Sequence, residues 1–303
     1  MQIEEQDSRR LVKRYGNKCQ GVFSCHFPTD IHLHHEPWGT DGGIISKEDI
    51  DQLASYSEAD RVTVSGLRQD SFEYLIRTVG PQLKAIIFIK NKLVEDWSLL
   101  GTLPQLEYAY WFANQRIDSV WDMRNNHALK GLTIHDFSRL HSISGIEKAP
   151  ALRYLSIGNA IWPNMVVDSL MPLAKTKITH LEFFGKKIED GNLSFFENLP
   201  QLQRFDCPLH LLPTEQFAWI AANCPQAEGR ALHAKEDGPV YKTINGKLNE
   251  LPGTFIVGKR KPCLPFEGNE ARIQQYVDEF EKMKIKYRGI SFEEAFMHSI
   301  QWS

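Results

Sequence analysis

Near its start the chain gathers Cys19, Cys25, His26, Asp30, His32, His34, His35 and Glu36, its densest group of side chains able to hold a metal or move a proton. If Ile31 and Leu33 turn toward a core, the two-residue period of a strand puts His32 and His34 on one exposed face. Two imidazoles so spaced can chelate zinc, with His26 or Glu36 as a third ligand. No spacing here matches a zinc motif closely, and strands with histidines on a wet face are common. The group is read as structural, with no metal or other cofactor bound. His26, His32, His34 and His35 are the candidates if one is, and a metal-binding protein or metal-dependent hydrolase is the alternative function.

A second set, His180, Glu182 and Asp206, falls on successive strand-like runs and could converge as an acid–base group, although polar ladders on repeated sheets more often serve recognition. The sequence has no Gly-rich phosphate loop, no G-x-S-x-G elbow and no H-E-x-x-H helix. An enzyme is not expected. The five cysteines, Cys19, Cys25, Cys207, Cys224 and Cys263, are scattered without a CxxC pair. Neither a disulfide framework nor a zinc ribbon is suggested.

The elements that would position these residues come from a repeat. Leu83, Leu106, Leu129, Leu152, Ile178 and Leu202 open strand-like runs at spacings of 23, 23, 23, 26 and 24 residues. Counting each as position 1, positions 4 and 6 are Ile86 and Phe88, Ala109 and Trp111, Leu132 and Ile134, Leu155 and Ile157, Leu181 and Phe183, Phe205 and Cys207. All eighteen are apolar in a chain that is 42% apolar. Chance would give this about once in 10⁷ trials. Pro81, Pro104, Pro150, Pro200 and Pro225 recur two residues ahead of position 1 or its equivalent, where proline ends the preceding segment and holds the entering chain extended.

The pattern L-x-x-L-x-L resembles the leucine-rich-repeat superfamily, in particular the short repeats of bacterial internalin-like and phosphatase-regulator-like proteins; residues 143–152, ISGIEKAPAL, are the closest stretch. The resemblance implies an α/β fold: a right-handed leucine-rich-repeat solenoid with a parallel β-sheet on its concave face and short helices or 3-10 turns on its convex face. Of the asparagines that the family places at position 9, Asn91 and Asn114 are present. Phe137, Ala160, Lys186 and His210 replace the others, so irregular coils are expected. Seven to eight coils would fill residues 59–236, from a degenerate strand at 61–64 to one near Ala227. Residues 1–58 and 237–303 would supply N- and C-terminal caps. In the latter, Asn269 is placed to cap a helix with Ile273, Tyr276, Val277, Phe280 and Met283 on one face.

In such a coil positions 3, 5 and 7 project from the concave sheet. The register therefore nominates a binding strip: Ile87, Ile89, Tyr108, Tyr110 and Phe112 in its early coils, then His135, Tyr154, His180, Glu182, Phe184, Arg204 and Asp206. An exposed aromatic patch marks an interaction surface. The competing expectation is that the N-terminal cap folds back and covers it.

With 35 basic and 38 acidic residues and a net charge of −3, the chain carries no electrostatic footprint for nucleic acid. The start of the sequence lacks an apolar stretch behind a basic one, and no run of about 18 apolar residues occurs. A cytoplasmic, monomeric protein is expected, without nucleic-acid or membrane partners. Its function is read as non-catalytic recognition of a partner protein, an immunity or inhibitor protein being one version and a self-associating scaffold another alternative. Protein purified without a histidine tag is expected to carry less than about 0.1 metal per chain by elemental analysis, because a true zinc site binds tightly at neutral pH. A stoichiometric metal would move the function to the N-terminal histidines.

Overall fold

The computed structural model describes residues 31–33, 45–55, 60–159, 164–244 and 246–296. The chain forms two compact units, Met1–Asn192 and Leu193–Ser303, which part inside the run of repeats.

The first unit is built on seven parallel strands that follow one another across the sheet in chain order. These are β1 (Ile31–Leu33), β2 (Arg61–Ser65), β3 (Ala85–Ile89), β4 (Tyr108–Asn114), β5 (Gly131–Phe137), β6 (Tyr154–Gly158) and, after the short β7 (Val166–Val167), β8 (His180–Phe184). β7 pairs separately with β9 (Lys187–Ile188). Helix α1 (Lys47–Ala54) precedes β2, helix α2 (Gln69–Thr78) links β2 to β3, and later connections carry 3-10 turns such as Ser98–Thr102, Ile146–Lys148 and Met171–Lys175. Among the described residues no helix is long and apolar enough to cross a membrane.

The strands stack in register, so that like positions of the repeat meet: Ile86 lies opposite Ala109, Ala109 opposite Leu132, Leu132 opposite Leu155 and Leu155 opposite Leu181. This alignment closes the apolar row. None of the eighteen expected core positions, counting those of both units, is more than 2% exposed. Each Leu, Ile or Phe among them contributes roughly 1.5–3 kcal/mol when covered, but only if the next repeat is present to cover it. The early coils add an aromatic spine, in which Phe88 stacks on Trp111 at 3.9 Å and Trp97 meets Trp111 at 5.1 Å and Phe137 at 5.3 Å, centroid to centroid.

Turns between coils are closed by buried asparagines. Asn91 accepts from the Leu67 N–H and donates to the Val64 carbonyl; Asn114 donates to the carbonyls of Asn91 and Val94 and accepts from the N–H groups of Arg116 and Ile117. In the next repeat, which has no asparagine at position 9, Phe137 fills the place with a ring stacked on Trp97. Asn126, outside that row, does similar work: its amide donates to the Leu100 and Leu103 carbonyls and its oxygen accepts from Trp121 Nε1.

The second unit contains β10 (Arg204–Asp206), α3 (Thr214–Asn223), the hairpin β11 (Lys235–Ile244) and β12 (Lys247–Ile256), β13 (Cys263–Pro265), α4 (Glu270–Tyr287) and α5 (Phe292–Phe296). The strand-like run near Ala227 meets β10 through one parallel bridge, Arg204 to Glu228. Trp219 anchors this unit, its ring 5.2 Å from Phe292 and its Nε1 donating to the Ile290 carbonyl. On α4, Ile273 and Phe280 are buried while Tyr276, Val277 and Met283 are half-buried. Asn269 occupies the N-cap position, but its side chain donates back to the Pro265 and Glu267 carbonyls and does not cap the first turn.

Asn126→Ala leaves the buried Trp121 indole N–H without its partner and takes one of two hydrogen bonds from each of the Leu100 and Leu103 carbonyls, which keep the N–H groups of Leu103 and Leu106. A loss of about 1–3 kcal/mol in urea unfolding is therefore expected. A loss below about 0.5 kcal/mol would show that the turn does not depend on this amide.

Candidate functional site

The sheet face opposite the core carries positions 3, 5 and 7, and register sets them in three rows. Position 3 runs Ala85, Tyr108, Gly131, Tyr154, His180; position 5 runs Ile87, Tyr110, Thr133, Ser156, Glu182; position 7 runs Ile89, Phe112, His135, Gly158, Phe184. The expectation that this strip is exposed is corrected by the structure. Ile89, Tyr110, Phe112, His135 and Glu182 are buried in the folded chain. Alternation fixes which face a side chain takes, but neighbours only about 4.8 Å away on either strand help decide whether water reaches it. Five nominated residues of this unit stay half-buried: Ile87, Tyr108, Tyr154, His180 and Phe184.

Within the buried part lies a polar relay on three adjacent strands. Ser156 Oγ donates to Glu182 Oε2 at 2.7 Å and stands 2.8 Å from His135 Nε2. Because the hydroxyl has one hydrogen and gives it to the carboxylate, the imidazole carries its proton on Nε2 and donates to the serine. The Tyr110 and His135 rings meet edge to face at 6.3 Å. The order of the relay decides its chemistry. A nucleophilic serine needs a base that takes its proton and a third group that orients the base, whereas here the serine lies between an imidazole donor and a carboxylate acceptor. The arrangement suits a hydrogen-bonded strut across β5, β6 and β8.

Beside it, Gly158 at φ +142° lets the Phe184 backbone approach so closely that a Cβ would come within 2.5 Å of its carbonyl carbon and oxygen. At the strand starts, the Tyr154 and His180 rings lie 4.7 Å apart, and His180 Nδ1 is 2.9 Å from Thr179 Oγ1.

The expected acid–base group is distributed differently. Glu182 is bonded to Ser156, and His180 contacts Thr179 and Tyr154. In the second unit, buried Asp206 accepts from Nε of the exposed Arg204 on its own strand. Ser156 went unnominated because serine at position 5 is unremarkable until its neighbours are known. In-register stacking was the signal that would have placed it beside Glu182 and diagonal to His135.

Of the metal candidates, His26, His34 and His35 lie outside the described residues, and for His32 the backbone alone is placed, opposite Thr63. Among the described residues no group of three or more His, Cys, Asp or Glu is placed to hold a metal. Burial pushes the Cys224 thiol up to about 11 and the Cys207 thiol well above its ordinary value, where the Asp206 carboxylate adds to the effect. Both are poor nucleophiles at neutral pH. Cys263 is exposed.

No family model matches the chain, and no curated protein matches it. Among solved structures, a leucine-rich-repeat protein of Leptospira interrogans is similar at 18% identity over 62% of this chain, with a TM-score of 0.40. The match spans 51% of that chain, about half its length. Likeness at this level fixes neither fold nor function.

A double-mutant cycle tests the relay. Ser156→Ala and Glu182→Gln are expected to couple by about 0.5–3 kcal/mol in equilibrium unfolding, as groups in one hydrogen-bond network do. Additive losses would remove the strut.

Proposed function

We propose that this chain is a non-catalytic, protein-binding leucine-rich-repeat solenoid, with its non-repeat ends as caps, that reads a partner protein along the strand-start rim of its sheet. The observation that carries this is the row of half-buried rings at position 3, Tyr108, Tyr154 and His180, set over a sealed and hydrogen-bonded sheet. Half-buried rings offer contact area with little entropy to lose, which is why tyrosine anchors many interfaces. Charged residues stand one place earlier in the chain, with Lys84 paired to Asp60 at 2.9 Å and Lys130 to Glu107 at 2.6 Å. An aromatic centre beside a charged border is the usual make-up of a protein interface.

Recognition by shape needs no cofactor, and a net charge of −3 favours neither nucleic acid nor an anionic membrane. An immunity or inhibitor protein that sequesters an enzyme in the cytoplasm, acting as a monomer, fits this reading. The buried members of the strip, among them Tyr110 and Phe112, support the rim without touching the partner.

Affinity capture from the native cell, followed by mass spectrometry, compares wild type with Tyr154→Ala/His180→Ala. The double variant is expected to lose a specific partner by at least about tenfold, since the loss of interface anchors costs upwards of 1–2 kcal/mol. Equal recovery by a folded variant would reject the rim. A concentration-dependent dimer that the same substitutions dissolve would reassign it to self-association.

A further inference from the structure

The β11–β12 hairpin of the second unit carries an open edge whose geometry is set by two prolines. Pro239 and Pro252 stand directly opposite each other in the antiparallel ladder. Opposed residues alternate between pairs that exchange two N–H···O bonds and pairs that exchange none, and prolines, without an N–H, can form only the second kind. The pairs two and four places on, Tyr241 with Glu250 and Thr243 with Leu248, are therefore also of that kind. Their backbone N–H and C=O groups point away from the partner strand.

On the outer side of β12, β13 fills this lane as far as it reaches. Thr254 lies opposite Leu264, and the Phe266 N–H donates to the Pro252 carbonyl at 3.0 Å. The chain then leaves the sheet toward α4. The next two outward rungs, Glu250 and Leu248, are bonded by no backbone group among the described residues. Strand edges are ordinarily blunted by proline or covered by another element. This one is blunted at Pro252 and open beyond it.

Directly opposed residues share a face, so Tyr241, Leu248 and Glu250 stand on the same side as Pro239, Pro252 and Phe266; the bond from Tyr241 Oη to Glu250 Oε2, 3.0 Å, agrees. Leu248 is 71% exposed and Tyr241 57%. Between Phe266 and the hairpin lies a shallow groove of about 610 Å³ whose lining residues include Pro239, Pro252, Phe266, Asp237 and Glu250. Asp237 is occupied by Lys235 Nζ at 2.6 Å, which holds its carboxyl below the ordinary range. Glu250, bonded to a neutral phenol, is the carboxylate left to face a cation. An open pair of rungs supplies affinity through the main chain, and the side chains beside them supply selectivity.

We propose that the open edge of β12 docks an extended segment of a partner protein bearing Lys or Arg two residues ahead of an apolar residue. The segment runs antiparallel to β12, in the lane that β13 vacates. Its cation lies against Glu250, and its apolar side chain covers Leu248. The site goes beyond the rim reading and does not depend on it, since every residue named lies within Leu193–Ser303.

The test uses the full chain and fluorescein-labelled eight-residue peptides of alternating polar and apolar pattern, with Arg, Ala or Glu in the place opposite Glu250, followed by fluorescence anisotropy. The Arg peptide is expected to bind at least about tenfold more tightly than the Glu peptide, a difference that Glu250→Lys reverses. Leu248→Pro removes an outward N–H while sparing the β11–β12 bonds, as Pro252 already does. It is expected to weaken every peptide by a similar factor with an unchanged circular dichroism spectrum. Equal binding of Arg and Glu peptides to the wild type, or no binding of any, would overturn the proposal. So would a dimer in sedimentation equilibrium that Leu248→Pro disperses, for then a second copy of this chain would be the occupant.

Discussion

The first unit rests on one constraint: an apolar row only one strand wide cannot bury itself. Each coil offers Leu or Ile at position 1 and two apolar side chains at positions 4 and 6, and these leave water only when the same positions of the next coil lie beside them. In-register pairing from β3 to β8 follows from that need, because a slip of one residue would turn the whole row to the opposite face. The spacing of 23 residues in the early coils is the length of chain that returns a strand to the side of its predecessor.

Returning the chain has its own cost, since each turn carries backbone groups into the interior. Asn91, Asn114 and Asn126 satisfy them with amides that donate and accept at once. The coil of Phe137 uses aromatic packing in that position instead. Three successive coils also place a residue other than glycine in the left-handed region just after position 7, namely Lys90, Ala113 and Asp136 at φ 55°, 61° and 59°. Each such residue costs about 1–2 kcal/mol locally. The same bend at the same repeat position marks it as a requirement of the coil, offset by the burial on either side.

On the other face of the sheet the same register produces a different outcome. Rows at positions 3, 5 and 7 bring together residues of unlike size and polarity, and the small polar ones become buried among their neighbours. Thr133 and Ser156 are each 1% exposed. Polar groups taken out of water in this way need partners. The His135, Ser156 and Glu182 relay answers that need for Ser156, whereas the Thr133 hydroxyl is buried without a hydrogen-bond partner among the described residues.

The amino-acid sequence by itself determined the eighteen core positions, their strands and the coil length, because these depend only on residue type and spacing along the chain. It also identified Asn91 and Asn114, whose amide groups donate to carbonyls in the coil before, at places fixed by the same period. It could not determine exposure of the opposite face. Tyr110 and Glu182 are buried in the folded chain, and alternation along one strand says which face a side chain takes but not what lies over it. The relay of Ser156, the amide bonds of Asn126 and the open rungs at Leu248 and Glu250 likewise exist only once separate strands have been aligned. Tertiary structure decided them because each is a relation between distant residues, and residue type along one strand cannot encode it.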